Sequence, residues 1–306
     1  MNCSIGIAIT PDDVSEATRP LRGTHSGSCN GKAAPLFTSK MEAELQARLA
    51  LENSVRDAAS NDDFDLYYQP VFQSAGDRLV GFEALLRLRG FDAGLVSPAV
   101  FIPLTEQMGM IGRVGAWVLR SACCTAQMWP EHLKVAVNLS PAQFETGDIC
   151  EVVAAALKES GLEPSRLELE ITESLLLRET ETVMDKLWEL KALGVAIVMD
   201  DFGTGYSSLT CLWRFPFDKI KIDRSFMDRV DTDHNHVKTI VRTVTGLGRS
   251  LHMQVTLEGV ETARQVALMR DVHCDHVQGF FFGRPMTSAN VMSVIQGVLS
   301  AGGTHG

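Results

Sequence analysis

Polar side chains recur at the ends of seven short β-rich runs. Glu83 lies in Phe82-Glu83-Ala84, Asn138 closes Ala136-Val137-Asn138, Glu170 sits in Leu169-Glu170-Ile171, and Asp200-Asp201 follow Val198-Met199. Lys221 and Asp223 belong to Lys219–Asp223, Glu258 closes Val255–Glu258, and Gln278 follows His276-Val277. Oxygen donors with no His or Cys among them select Mg2+ or Mn2+ over zinc or copper. The pair Asp200-Asp201 suits two ions held a few ångströms apart, one carboxylate bridging while its neighbour takes the second ion. Such a pair of ions serves in-line attack on a phosphodiester, one activating water and the other steadying the leaving oxygen. Lys221 would place positive charge near the water or the transition-state phosphate. Glu258 would be a general base or a ligand of the second ion, and spacing leaves both roles open. Each residue alone has a plainer explanation: a strand-terminal Asp caps turns, and a lone Lys or Glu is mostly solvated. Their recurrence along the chain is what points to chemistry.

These residues need a scaffold that brings strand ends together. Strand-like runs fall at Phe64–Val71, Leu79–Leu88, Lys134–Asn138, Leu167–Ile171, Ala196–Met199, Lys219–Ile222, Gln254–Leu257 and Val277–Phe282. Helix-length stretches separate most of them, among them Gly112–Gln127, Leu175–Leu193, His236–Ser250 and Thr262–Arg270. Eight strands alternating with helices predict an α/β fold, a (β/α)8 TIM-like barrel, in which functional side chains gather at the carboxyl ends of the strands. A doubly wound open sheet is the alternative. The link around Ala75-Gly76-Asp77 is too short for a crossover helix, so the first strand is expected to run antiparallel to the second.

At these residues the chain resembles EAL-domain cyclic-di-GMP phosphodiesterases. Glu83-Ala84-Leu85-Leu86-Arg87 reproduces the family's signature. Asn138–Pro141, Glu170–Glu173, Asp200–Gly205, Lys221–Asp223, Glu258–Thr262 and Gln278–Phe280 follow in family order, over about Phe64 to Pro285. The resemblance implies hydrolysis of one phosphodiester bond of cyclic-di-GMP to linear diguanylate, with two Mg2+ or Mn2+ ions per site. It implies that Glu83, Asn138, Glu170 and Asp200 bind the first ion, and that Asp200 and Asp201 bind the second. Glu258 would complete the second ion's ligand set or take a proton from water, and Lys221 would be the catalytic lysine. Glu173 would anchor the loop Phe202–Leu209, which links the site to a homodimer interface after Asp201. Gln69, Leu86, Arg87, Asp223, Glu261 and Gln278 match positions that contact or support the substrate. Leu88, Leu257 and Phe280 depart from the usual Trp, Ala and Tyr; none removes a ligand, and the bulk of Leu257 beside Glu258 bears on rate. One rival is a catalytically silent EAL module acting as a cyclic-di-GMP receptor, but such modules lose ligands or the lysine. Another is a barrel acting on a different small phosphodiester.

Residues 1–39 read as a partly disordered segment in which Ser4–Ala8 and Pro11-Asp12-Asp13 resemble the end of a GGDEF domain. Residues 40–62 read as a lead helix and 63–306 as the barrel. A formal net charge of −10 over 306 residues argues against a nucleic-acid polymer or an anionic membrane as partner. No apolar run reaches a membrane span, and seven scattered cysteines point to reduced thiols, hence the cytoplasm. Asp233–His236 reads as a helix start with a capping side chain, and Cys123-Cys124 as part of an amphipathic helix.

Overall fold

The computed structural model describes residues 39–302 apart from 75, 77, 90–94, 146, 177–180, 205–211, 213, 216 and 231. The strand-like run Ser4–Thr10 and the GGDEF-like segment lie outside the described residues. The chain divides into two units, Met1–Gln46 and Ala47–Gly306. In the first, the described part is the start of the helix Ser39–Asn61.

In the second unit eight strands close on themselves. They are β1 (Asp65–Gln73), β2 (Leu79–Arg89), β4 (Lys134–Leu139), β5 (Leu167–Thr172), β6 (Ala196–Phe202), β7 (Lys219–Ile222), β8 (Gln254–Leu257) and β9 (His276–Gln278). Short strands β3 (Leu95–Val96) and β10 (Met286–Thr287) pair with β2 and β1 at the rims. From β2 through β9 the barrel pairings are parallel. β1 runs antiparallel to both β2 and β9 and so closes the ring. This is the expected barrel with its inverted first strand; an open sheet is excluded by the β1–β9 pairing.

Most boundaries lie within three residues of expectation, and two elements differ by more. The stretch read as one helix over 175–193 is two, Glu173–Leu176 and Glu181–Ala192. The last barrel strand stops at Gln278, because the chain then turns: Phe282 N donates to Gly279 O, and Phe281 N to Val260 O, both at 3.0 Å.

Strand alternation sorts the residues. On β5, Leu167, Leu169 and Ile171 share the outward face and are fully buried, while Glu168 and Glu170 share the inward one. Outside, Trp129 takes the edge of Tyr68 at 5.6 Å and packs on Phe82 at 4.9 Å between ring centroids. Each such buried side chain contributes roughly 1.5–3 kcal/mol. That outer layer is what lets the inner faces be polar.

Where β9 ends, Gly279 lies flat against the turn after β8: a Cβ there would stand 2.1 Å from Val260 O and 2.3 Å from Val260 N. Val260 N also donates to Gln278 O at 3.1 Å. Gly279→Ala is therefore expected to cost roughly 1–3 kcal/mol by forcing two backbones apart. Calorimetric melting checks this, and an unchanged midpoint would show that the contact is absent.

Candidate active site

Ladder register brings the polar residues to one end of the barrel. Glu83 pairs with Gln69 across β1–β2, Asn138 with Glu170 across β4–β5, and Asp200 with Thr172 across β5–β6. Asn138 Nδ2 donates to Glu83 Oε1 at 2.7 Å, and Gln278 Nε2 donates to Glu83 Oε2 at 2.6 Å and to Gln69 Oε1 at 3.2 Å.

At the centre is the Lys221 ammonium, only 3% exposed. It lies 2.7 Å from Glu258, 2.8 Å from Glu170, 3.3 Å from Glu83 and 3.4 Å from Asp200. A regular strand would send Asp200 and Asp201 to opposite faces. Here β6 shifts register between Met199 and Phe202, and Asp201 adopts φ 55°, left-handed backbone that a non-glycine residue seldom takes. The irregularity turns both carboxylates inward. Oxygens of Asp200, Asp201 and Glu258 lie within 4.8 Å of one another.

Four carboxylates therefore surround one ammonium and a fifth, Asp201, adjoins them, a formal balance of 1 − 5 = −4. Burial, aided by Asp200 and Glu83, pushes the Glu258 carboxyl up to about 8. Burial and the neighbouring Asp200 push Asp201 up to about 6. Burial and Glu83 raise Glu170 well above the usual carboxylate range, and burial raises Asp200. Burial also opposes ionisation of Glu83, but Lys221 and the amides of Gln278 and Asn138 outweigh it and hold that carboxyl low. Burial alone would depress Lys221; the four carboxylates hold it well above its usual value. Excess negative charge on hard oxygen donors fits divalent cations of the Mg2+ class.

A cavity of about 320 Å3 opens over this cluster. Gln69, Asp223, Glu261 and Gln278 line it, so four of the expected substrate positions share a space with the carboxylates. Leu86 and Arg87 line a second, mostly apolar cavity of about 350 Å3 with Asn138, and the Asn138–Glu83 bond links the two. Arg87 donates to Leu86 O at 2.9 Å and stands 5.5 Å over the Tyr67 ring. Glu173 is buried at the start of its short helix; the loop it would anchor lies largely outside the described residues.

Sequence reasoning missed Arg224, which lines the first cavity one position past Asp223, and treated Phe280 only as a departure. The Phe280 ring faces that cavity's lining, with Arg284 stacked 4.4 Å from its centre. Leu257 packs into the outer core by strand alternation, away from Glu258. Asp233 occupies the N-cap position of His234–Ser250, but its side chain makes no capping bond; it meets His236 Nδ1 at 3.3 Å instead. Burial pushes the Cys123 thiol up to about 12, leaving it unreactive.

The EAL domain family model matches residues 52–285. The chain belongs to the EAL family. Among relatives, this EAL chain is 36% identical over 306 residues to the bifunctional diguanylate cyclase/cyclic di-GMP phosphodiesterase MucR of Pseudomonas aeruginosa, covering 96% of this chain and 44% of MucR. It is 35% identical to the cyclic di-GMP phosphodiesterase NbdA of the same organism, covering 94% of this chain and 38% of NbdA. The solved PaMucR phosphodiesterase in complex with c-di-GMP superposes with a TM-score of 0.75 at 39% identity, over 79% of this chain and 99% of that one. The chain thus spans less than half the length of these curated relatives.

The raised carboxyls have a thermodynamic consequence in metal-free protein. Between the usual carboxylate range and about 8, the unfolded chain has released protons that Glu258 still holds, so stability is present below about 4.5 and lost as pH rises toward 8. Melting temperature in chelator is expected to fall across that window, and saturating Mg2+ to flatten the fall. A flat profile in chelator would contradict the crowding of these carboxylates.

Proposed function

We propose that this EAL domain hydrolyses one phosphodiester bond of cyclic-di-GMP, giving linear diguanylate (pGpG), with two Mg2+ or Mn2+ ions. The observation that carries this reading is the gathering of Asp200, Asp201 and Glu258 oxygens within 4.8 Å, in a cluster of five carboxylates that the one Lys221 ammonium leaves largely uncompensated, at the floor of an open cavity. The phosphodiesterase names of MucR and NbdA support it. All the expected ligands and Lys221 are present, which speaks against a silent receptor module.

Glu83, Asn138, Glu170 and Asp200 would hold one ion, and Asp200 and Asp201 the other. When bound, the cations supply positive charge that acidifies a water and steadies the leaving oxygen. Of the four carboxylates around Lys221, Glu258 is the most open to solvent, with a side chain 17% exposed against 3–11% for the others. It is therefore the group placed to receive the proton of the attacking water, once the charge of bound cations favours its ionised form. Lys221 holds Glu258 in place and adds positive charge where the phosphate becomes more negative. Asp223 and Glu261 can accept the N–H groups of a guanine edge, Gln69 and Gln278 position the sugar-phosphate over Glu83, and Arg87 and Leu86 receive the far end of the dinucleotide. Phe280 offers a flat apolar ring for stacking. Pairing of two copies through the segment after Asp201, with Glu173 behind it, and a cytoplasmic location complete the proposal.

Incubation with cyclic-di-GMP and Mg2+, followed by chromatographic separation, should yield pGpG; unchanged substrate from folded, metal-loaded protein would refute the reading. Lys221→Ala is expected to lower kcat by on the order of a hundredfold or more while the dinucleotide still binds. Near-normal turnover in that variant would remove the lysine from the mechanism. Ca2+ accepts more ligands and looser geometry, so it should occupy the site without supporting turnover.

A further inference from the structure

The opposite mouth of the same barrel carries a second charged layer that the proposed hydrolysis does not use. One inward step below Glu170, Lys221 and Gln278 stand Glu168, Lys219 and His276, since inward side chains repeat every second residue. Glu168 accepts from Lys134 at 3.0 Å through one carboxylate oxygen and from Lys219 through the other. Together with Arg78 and His132 these residues line a cavity of about 200 Å3.

A purely structural plug would balance its charges and fill its volume. This layer does neither. Among the described residues that line the cavity, Arg78, Lys134 and Lys219 against Glu168 give a formal 3 − 1 = +2, with histidines neutral and Asp275 behind His276, in a chain whose net charge is −10. Each ammonium carries three N–H donors and uses one on Glu168. His276 is only 7% exposed, and its Nδ1 has no hydrogen-bond partner among the described residues. Burial and the nearby Lys219 push the His276 imidazole down to about 4, so it stays neutral and keeps one N–H to donate. Burial opposes ionisation of Glu168, but Lys219 and Lys134 hold its carboxyl down to about 2, so it remains their counter-ion and does not itself donate. The space is several times the roughly 30 Å3 of liquid volume that one water takes. Surplus donors, surplus positive charge and a walled recess opening past Arg78 and His132 together describe an anion receptor.

We propose that the amino-terminal mouth of this barrel binds a small oxyanion of the phosphate class, held by Lys134, Lys219 and Arg78 beside His276. The site is independent of the proposed hydrolysis, and its test needs neither divalent metal nor cyclic dinucleotide.

The full chain in chelator is titrated with inorganic phosphate, and with chloride at matched ionic strength, following melting temperature and the His276 ring resonance by NMR. Phosphate should raise the midpoint saturably and move the His276 signal, while chloride should not. The double variant Arg78→Gln/Lys134→Gln alters only side chains at the solvent-facing rim and leaves the buried Lys219–Glu168 pair intact; its phosphate affinity should fall by about tenfold or more. Glu168→Gln removes the competing carboxylate and should bind phosphate more tightly than the parent chain. Titration with 5′-GMP and with guanosine separates the sources: binding of phosphate and GMP alike marks free phosphate as sufficient, and tighter GMP binding marks a nucleotide phosphate. Equal responses to phosphate and chloride, unchanged affinity in the double variant, or guanosine binding as well as GMP would each overturn the proposal.

Discussion

Packing five carboxylates into one buried corner is the constraint on which the rest of this molecule depends. Like charges a few ångströms apart in a desolvated site repel strongly, and here a single ammonium, Lys221, stands among them. The protein tolerates the cluster in the absence of metal by raising most of the carboxyls and by spending amide donors on Glu83. An arrangement so far from electroneutral is costly as scaffolding and sensible as a receptor for divalent cations. The proposed mechanism and the expected pH dependence both descend from that imbalance.

The barrel makes such crowding possible. Strand alternation commits Leu167, Leu169, Ile171 and their counterparts to an outer apolar layer, leaving the inner faces free for polar residues at both mouths. One mouth collects carboxylates and the other collects cations, two residues apart along the same strands. β5 and β7 each contribute to both layers, through Glu168 and Glu170 and through Lys219 and Lys221. The inversion of β1 matters too, since it brings Gln69 beside Glu83 and sets Val71 opposite Gln278.

Much of this was legible in the chain itself. Strand-length apolar runs separated by helical stretches announce a barrel, and the short link around Ala75-Gly76-Asp77 announces an inverted first strand. The ligand set was legible because polar residues interrupt otherwise apolar strand runs, and a barrel brings the carboxyl halves of its parallel strands to one mouth. What could not be read was geometry that breaks the strand rule. Nothing in Met199–Phe202 announces the register shift and the left-handed Asp201 that bring adjacent aspartates to one side. Nor does spacing show that Lys221 reaches across the barrel to Glu83, 138 residues away. Phe280, Phe281 and Phe282 are β-forming types that extend the apparent last strand; the close approach of Gly279 to Val260 overrides them. The second mouth is not legible in the sequence, because Lys134, Glu168, Lys219 and His276 resemble ordinary solvated residues at strand starts until the ring closes over them.

The account stands on paired cations in the carboxylate corner, and anomalous diffraction from crystals soaked in Mn2+ tests it most directly. Two peaks are predicted, one among Glu83, Asn138, Glu170 and Asp200 and the other against Asp200 and Asp201. No peak in that corner, with Lys221 still bonded to Glu83 and Glu170 at saturating Mn2+, would contradict it.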